Sequence, residues 1–147
     1  MWVLILILAV AAYFIVNPSA ASDVEAFVTG SRLTPQQIAT VASIAGFAGD
    51  DLTTAVAIAL AESSGNPAAV GDAALAPTRG PSIGLWQINT GSAAHPEYAG
   101  VDLTDPQTNA NAAYSIYLVS GFNPWSTYTS GAYAAYLESA LTGVASV

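Results

Sequence analysis

The stretch TTAVAIALAESSGNP, residues 53–67, decides how the chain is read. Ala55, Ile58, Ala59 and Glu62 fall at i, i+3, i+4 and i+7, with Val56 and Leu60 beside them, which is the spacing of one helical face. Gly65 and Pro67 follow as stop signals. Glu62 is therefore expected in the last turn of an apolar helix, on a face that favours burial. Burial disfavours the carboxylate, and so does the negative end of the helix dipole. A glutamic acid kept protonated near neutral pH is the tool for protonating a leaving group. The plainer alternative is a charged residue that ends a helix in solvent, and the rest of the chain has to decide between them.

On the N-terminal side, Thr34-Pro35-Gln36-Gln37 carries the signals of a helix start. Thr34 is placed as N-cap, Pro35 at the first helical position and Gln37 as the closing member of a capping box. Ile38, Val41, Ala42 and Ala45 mark the buried face of that helix, which ends near residues 46–49. Asp50 and Asp51 are expected to cap the helix that carries Glu62. On the C-terminal side an irregular region runs to Pro81, punctuated by Gly71-Asp72 and by Pro77 to Pro81. SIGLWQIN, residues 82–89, alternates Ile83, Leu85 and Gln87 against Gly84, Trp86 and Ile88, as an extended strand or a strand-like turn does. Asp105 as N-cap and Pro106 at the first position open another helix, with Ala110, Ala113, Tyr114, Tyr117 and Leu118 as its apolar positions and Gly121 as its end. A tight turn at Phe122-Asn123-Pro124-Trp125 leads to a final helix over residues 131–141.

Composition narrows the classes of function. The 147 residues allow one domain and an appendage. Hydrophobic residues make up 53% and charged ones 8%, against roughly 25% charged in ordinary soluble domains. Ten acids against Arg32 and Arg79, with no lysine, give a net charge of −8. Such a chain repels a phosphate backbone, so nucleic acid is set aside as a partner. The absence of cysteine removes disulfides, a thiol nucleophile and zinc knuckles. His95 is the only histidine; it stands before Pro96 and reads as a loop residue. No metal and no cofactor are expected.

Residues 2–16 (WVLILILAVAAYFIV) form a continuous apolar run, and no charge appears before Asp23. Extended to Ser22, the run reaches the about 20 residues that span a bilayer. It reads as a single N-terminal membrane anchor. The alternative is a signal peptide, with the small residues 18–22 as its cleavage region. No Lys or Arg precedes the run, which weakens the signal-peptide case and leaves membrane orientation open. The expected organisation is an anchor (or signal peptide) at 1–22, a linker at 23–33 and a domain at 34–147.

Inside that domain, polar side chains able to hold a sugar recur in the loops around Glu62: Ser63, Ser82, Gln87, Asn89 and Asn109. Aromatics suited to stacking on a sugar face recur with them: Trp86, Trp125, Tyr128 and Tyr133. Each aromatic has core packing as its alternative use, and Tyr114 and Tyr117 are expected in the core.

Four segments then resemble one family in its own order. ESSGNP at 62–67 resembles the ESxxNP signature of lysozyme-like lytic transglycosylases. SIGLWQI at 82–88 resembles their SxGLMQI segment, with Trp86 where Met is usual. Asp105-Pro106, followed by Asn109 and by Tyr117-Leu118, is similar to their DPxxN helix start. Gly121 to Tyr128 is similar to the Gly-x-x-Pro-Trp-x-x-Tyr ending of phage-type members. The resemblance covers about residues 38–137. It implies a mainly α, small lysozyme-like α+β domain with a short strand-like segment. It also implies action on the β-1,4 bond between N-acetylmuramic acid and N-acetylglucosamine in peptidoglycan. By position Glu62 matches the family's catalytic acid/base. Ser82 and Gln87 match residues lining the groove, and Asn109 matches an asparagine that supports substrate binding. Ser63, Gly84, Trp125, Tyr128 and Tyr133 complete the expected binding set, although Gly131-Ala132-Tyr133 matches the family's AYNxG tail only in part.

Most glycosidases flank the scissile bond with two carboxylates. Here Asp72 is the candidate second acid, and as a Gly-Asp turn residue it has a structural alternative. Without a second acid the resemblance implies a lytic transglycosylase; with one, a muramidase. The implied partners are peptidoglycan glycan strands, the lipid membrane and other virion or envelope proteins. The implied location is a virion membrane or bacterial envelope, single-pass, with the catalytic domain facing the wall. The competing reading is a non-catalytic glycan-binding or structural membrane component of a virion that keeps the lysozyme-like shape.

Overall fold

The computed structural model describes residues 31–71 and 80–147. The segment 1–22, the linker as far as residue 30, and Asp72 lie outside the described residues. Among the described residues no helix is long and apolar enough to cross a membrane.

Helix α1 (Pro35–Ala45) starts as its sequence signals predict. Gln37 N–H donates to Thr34 Oγ1 at 3.3 Å, and Thr34 N–H donates to Gln37 Oε1 at 2.8 Å, so both arms of the capping box are present. Helix α2 (Gly49–Ser63) begins before Asp50 and Asp51. Its N-cap is Ala48, which makes no side-chain cap. Asp50 and Asp51 sit instead in the first turn, where they face the positive end of the helix dipole. This corrects their expected role as caps. Val56, Ala57, Ile58 and Ala59 are all fully buried. A helix apolar on every side belongs inside the core, and α2 is packed by α1, by the last helix and by a 3-10 turn at Ala132–Tyr136.

A small antiparallel sheet follows, built from β1 (Val70–Gly71), β2 (Ser82–Ile83) and β3 (Ile88–Asn89) in that order. Val70 pairs with Ile83, Ser82 with Asn89, and Ile83 with Ile88. Residues 82–89 are thus a hairpin with a four-residue turn and not one strand. Leu85 and Trp86 are adjacent in that turn and both are buried, which the alternation of a strand forbids. Of the two readings of this segment, the strand-like turn is the nearer one.

After a 3-10 turn at Pro96–Tyr98, helix α3 (Pro106–Ser120) opens with Thr108 N–H donating to Asp105 Oδ1 at 2.8 Å and closes at Gly121. Asn109, Ala110, Ala112, Ala113 and Ile116 form its buried face. Leu118 is 65% exposed, which corrects its expected core position. Trp125 N–H donates to Phe122 O and closes the tight turn. The expected final helix is divided. One turn, α4 (Ser126–Thr129), is followed by Gly131 at φ 80, the 3-10 turn, and α5 (Leu137–Val144). The left-handed Gly131 separates α4 from the 3-10 turn, and the expected helix over 131–141 is α-helical only from Leu137. Helix α5 crosses the start of α1 so closely that a Cβ on Gly143 would lie 2.5 Å from the carbonyl carbon of Pro35. The small residues of the sequence are used at such contacts.

Candidate active site

Glu62 ends the core helix, and the chain around that end is fixed from two sides. Ser64 takes the left-handed conformation (φ 52) and its N–H donates to Leu60 O. From the segment ahead of α1, Arg32 Nη1 donates to Ser64 O at 2.9 Å and to Ser63 O at 3.3 Å. Leu33 N–H adds a bond to Gly65 O at 2.8 Å. A cation on the last carbonyls of a helix offsets their negative partial charge. Ser63 is buried and turns its hydroxyl back onto Ala59 O at 2.9 Å. That bond holds it in the helix, away from the cleft wall, and corrects its expected contact with substrate.

Glu62 is half-buried, and its Oε1 accepts a hydrogen bond from Thr127 Oγ1 at 2.7 Å. It stands in the wall of a cleft of about 380 Å³. The hairpin supplies Ser82, Gln87, Ile88 and Asn89 to that wall, and the loop after it supplies Ala94 and His95. Ile116 comes from α3, and Pro124, Trp125 and Ser126 come from the turn into α4. Among the described residues, Glu62 is the only carboxyl group in the wall.

Hydrogen bonds fix the polar side of the cleft. Asn89 Nδ2 donates to Ser82 Oγ at 3.1 Å and to Gly80 O at 3.2 Å, while its Oδ1 accepts from Gly91 N–H. Gln87 adopts φ 48, a left-handed backbone that costs a non-glycine residue roughly 1 kcal/mol. Its side chain holds that turn, with Nε2 donating to Gly84 O at 2.9 Å and to Ala69 O at 3.1 Å.

Asn109 has a different place from the one expected. It is fully buried, and all three of its hydrogen bonds go to backbone: Oδ1 accepts from Trp86 N–H, and Nδ2 donates to Ile83 O and Leu103 O. It shapes the hairpin from behind and does not line the cleft. Gly84 lies against it; a Cβ there would run into Asn109 Nδ2 and Leu103 O, and its φ of 82 is itself a glycine conformation. Both are supports of the hairpin turn, a correction to direct substrate contact.

Trp86 is 1% exposed, and its Nε1 donates to Ala55 O on α2, so the expected sugar platform is a core residue. Trp125 lines the cleft, and its Nε1 donates to Trp86 O at 2.8 Å. These two indoles tie the cleft wall to the core helix. Tyr128 and Tyr133 pack on each other with ring centres 5.1 Å apart, and Tyr128 rests on Phe122 at 5.4 Å. Neither forms part of the cleft wall, because these ring contacts turn them toward the aromatic cluster around Phe122.

Two residues of consequence were not singled out from the sequence. His95, read as a plain loop residue, lines the cleft, and its Nδ1 lies 3.1 Å from Glu97 Oε1. The Glu97 carboxyl is held below its usual range by its own backbone N–H first and by the His95 ring second. Thr127, to which the sequence assigns no role, lies two residues after Trp125 in the FNPWSTY segment. Among the described residues, no group of three or more His, Asp or Glu is placed to hold a metal ion.

Among the described residues, one half-buried acid, neutral amides and hydroxyls on one side, and an apolar wall of Ile88, Ile116 and Trp125 suit a hydroxyl-bearing polymer. The profile of the lysozyme like domain family matches residues 39–127. That span begins in α1 and ends on Thr127, so it contains Glu62, the hairpin and the whole of α3. Comparison with curated proteins and with solved structures gave no match. The matched span is more than half of the chain, and the chain therefore belongs to the lysozyme-like domain family.

Proposed function

We propose that this protein is a lytic transglycosylase that cuts the β-1,4 bond between N-acetylmuramic acid and N-acetylglucosamine, with Glu62 as acid and then as base. A lysozyme-like domain points to a glycosidase or transglycosylase acting on peptidoglycan. The observation that supports the narrower reading is that, among the described residues, Glu62 is the one carboxyl group in the cleft wall. Hydrolytic glycosidases generally place a second carboxylate across the bond, to act as nucleophile or to activate water. A single acid has to do both proton transfers itself, and an intramolecular nucleophile makes that sufficient.

In the first step Glu62 gives its proton to the glycosidic oxygen, and the C1–O bond breaks to release the 4-hydroxyl of N-acetylglucosamine. The carbonyl oxygen of the muramic N-acetyl group bonds to C1 and carries the developing positive charge as an oxazolinium. In the second step the Glu62 carboxylate takes the proton of the C6 hydroxyl. O6 then bonds to C1 as the oxazolinium oxygen leaves, which closes a 1,6-anhydro ring and restores protonated Glu62. Atoms and charge balance without water, metal or cofactor. Ser82 and Asn89 are placed for the sugar's hydroxyl and amide groups, and Trp125 with Ile88 for its apolar face. A zymogram on purified peptidoglycan tests this reading. Wild type is expected to clear the gel and Glu62→Gln to leave it opaque; clearing by both removes Glu62 from the mechanism.

The apolar run at residues 2–16 supports a tether that holds the domain next to the wall, where only local opening is needed, as for a virion entering a cell or an envelope-spanning assembly. Full-length protein is expected in the membrane fraction, released by detergent and retained through a high-salt wash. Release by salt alone contradicts the anchor.

A further inference from the structure

We propose that Thr127 is a positioning residue that holds one oxygen of Glu62, Oε1, as a permanent acceptor through both proton transfers. The inference rests on the assignment of Glu62 as the acid/base. Its basis is the 2.7 Å bond from Thr127 Oγ1 to Glu62 Oε1, made between residues 65 positions apart in the chain. Among the described residues, several serine and threonine hydroxyls in the longer helices bond locally instead. Those of Thr40, Thr54, Ser63, Ser115 and Thr142 all donate to the carbonyl four residues earlier in their own helix. That is the usual resting place of a helical Ser or Thr. Thr127, at the second position of the short α4, has no such carbonyl in its own helix and crosses to the carboxyl group.

The chemistry explains why such a contact matters. The end of a glutamate side chain rotates over a broad, two-fold torsion, so an untethered carboxyl offers either oxygen to the substrate. A hydroxyl that donates to Oε1 does so whether the group is an acid, with Oε1 as its carbonyl oxygen, or a carboxylate. The exchanged proton is then confined to the other oxygen, Oε2. Both steps of the proposed reaction need that proton at one position, first facing the glycosidic oxygen and then the C6 hydroxyl. Misplacement of a reacting group by about 1 Å costs about 10²-fold in rate. The anchor is itself firm. Thr127 lies in α4, whose N-cap Trp125 bonds to Trp86 O, and Trp86 bonds to Ala55 O of the helix that carries Glu62. The loop from acid to anchor closes through the core.

The test compares wild type, Thr127→Val, Thr127→Ser and Glu62→Gln on soluble glycan strands, with kcat and KM measured separately. Thr127→Val keeps the shape and removes the hydroxyl; it is expected to lose about 10²-fold in kcat with KM within about twofold. Thr127→Ser restores the donor and is expected to stay within about fivefold of wild type. In the Glu62→Gln background, Thr127→Val is expected to add no further loss, because the two residues act as one unit. A Thr127→Val enzyme with wild-type kcat, or one that Ser does not rescue, overturns the inference and leaves Glu62 in place. An equal further loss in the Glu62→Gln background also overturns it, since that marks a general structural defect. Activity retained in Glu62→Gln alone overturns the acid/base assignment as well, and is read from a different variant.

Discussion

Glu62→Gln is expected to lower kcat on glycan strands by about 10²- to 10⁴-fold, the range spanned by removal of a general acid/base. KM should change little, because the amide keeps the size of the side chain and can still accept from Thr127. The fold should be retained as well, since Glu62 is half-buried at a helix end and not a member of the apolar core. The loss is confined to the chemical step because no other carboxyl group among the described residues stands in the cleft wall to replace it. Rates at saturating substrate, together with far-ultraviolet circular dichroism of the variant, check the expectation. A variant that stays folded and keeps more than about a tenth of wild-type kcat contradicts it.

The second large effect is on stability. Asn109→Ala removes three buried hydrogen bonds at once, those to Trp86 N–H, Ile83 O and Leu103 O. Each buried backbone group left without its partner costs about 1–3 kcal/mol, and truncation also opens a void against Gly84. The expected destabilisation is about 3–5 kcal/mol, a large share of the about 5–15 kcal/mol that holds a domain together. For a chain of this size that lowers the melting temperature by about 10 °C. Activity should fall with it, because the hairpin that Asn109 holds supplies Ser82, Gln87 and Asn89 to the cleft. Thermal melts followed by circular dichroism measure it. A midpoint within about 2 °C of wild type would show that the network contributes little.

These two residues illustrate what the sequence reveals and what it hides. Glu62 was legible because a local rule, an apolar helical repeat running into a carboxylate and then Gly and Pro, fixes it at a helix end. The same kind of local rule placed Thr34, Pro35 and Gln37 in a capping box and Asp105 and Pro106 at the start of α3. Asn109 was visible as part of a motif, but its work was not. Its three bonds reach 6 to 26 residues along the chain, and no local pattern distinguishes an amide that faces a sugar from one that faces backbone. Trp86 is the same case: an indole suits either a glycan or a core, and only the packing against α2 decides. The alternation in 82–89 leaves strand and strand-like turn open, because two-residue strands are shorter than the window in which alternation has meaning. The start of α5 is later than expected because the apolar run after Gly131 first takes a 3-10 turn, Ala132–Tyr136, which has no sequence signal of its own. Thr127 was invisible for the most general reason, a tertiary contact over 65 residues.

The cleft also explains how a chain of such low charge can hold a polymer. Among the described residues, its wall presents amide, hydroxyl and imidazole groups with one acid, and the apolar surface of Trp125, Ile88 and Ile116. Neutral sugars need such groups more than they need ion pairs. The net charge of −8 acts instead on solubility and on partner choice.

The most direct test of a lone carboxyl acting as acid and then base is the chemistry of the ends it leaves. Purified glycan strands digested by the wild-type protein should give muramic residues ending in 1,6-anhydro rings, one water lighter than reducing ends in the mass spectrum. Reducing ends as the principal products would mean that water is the nucleophile, and the single-residue mechanism would be wrong.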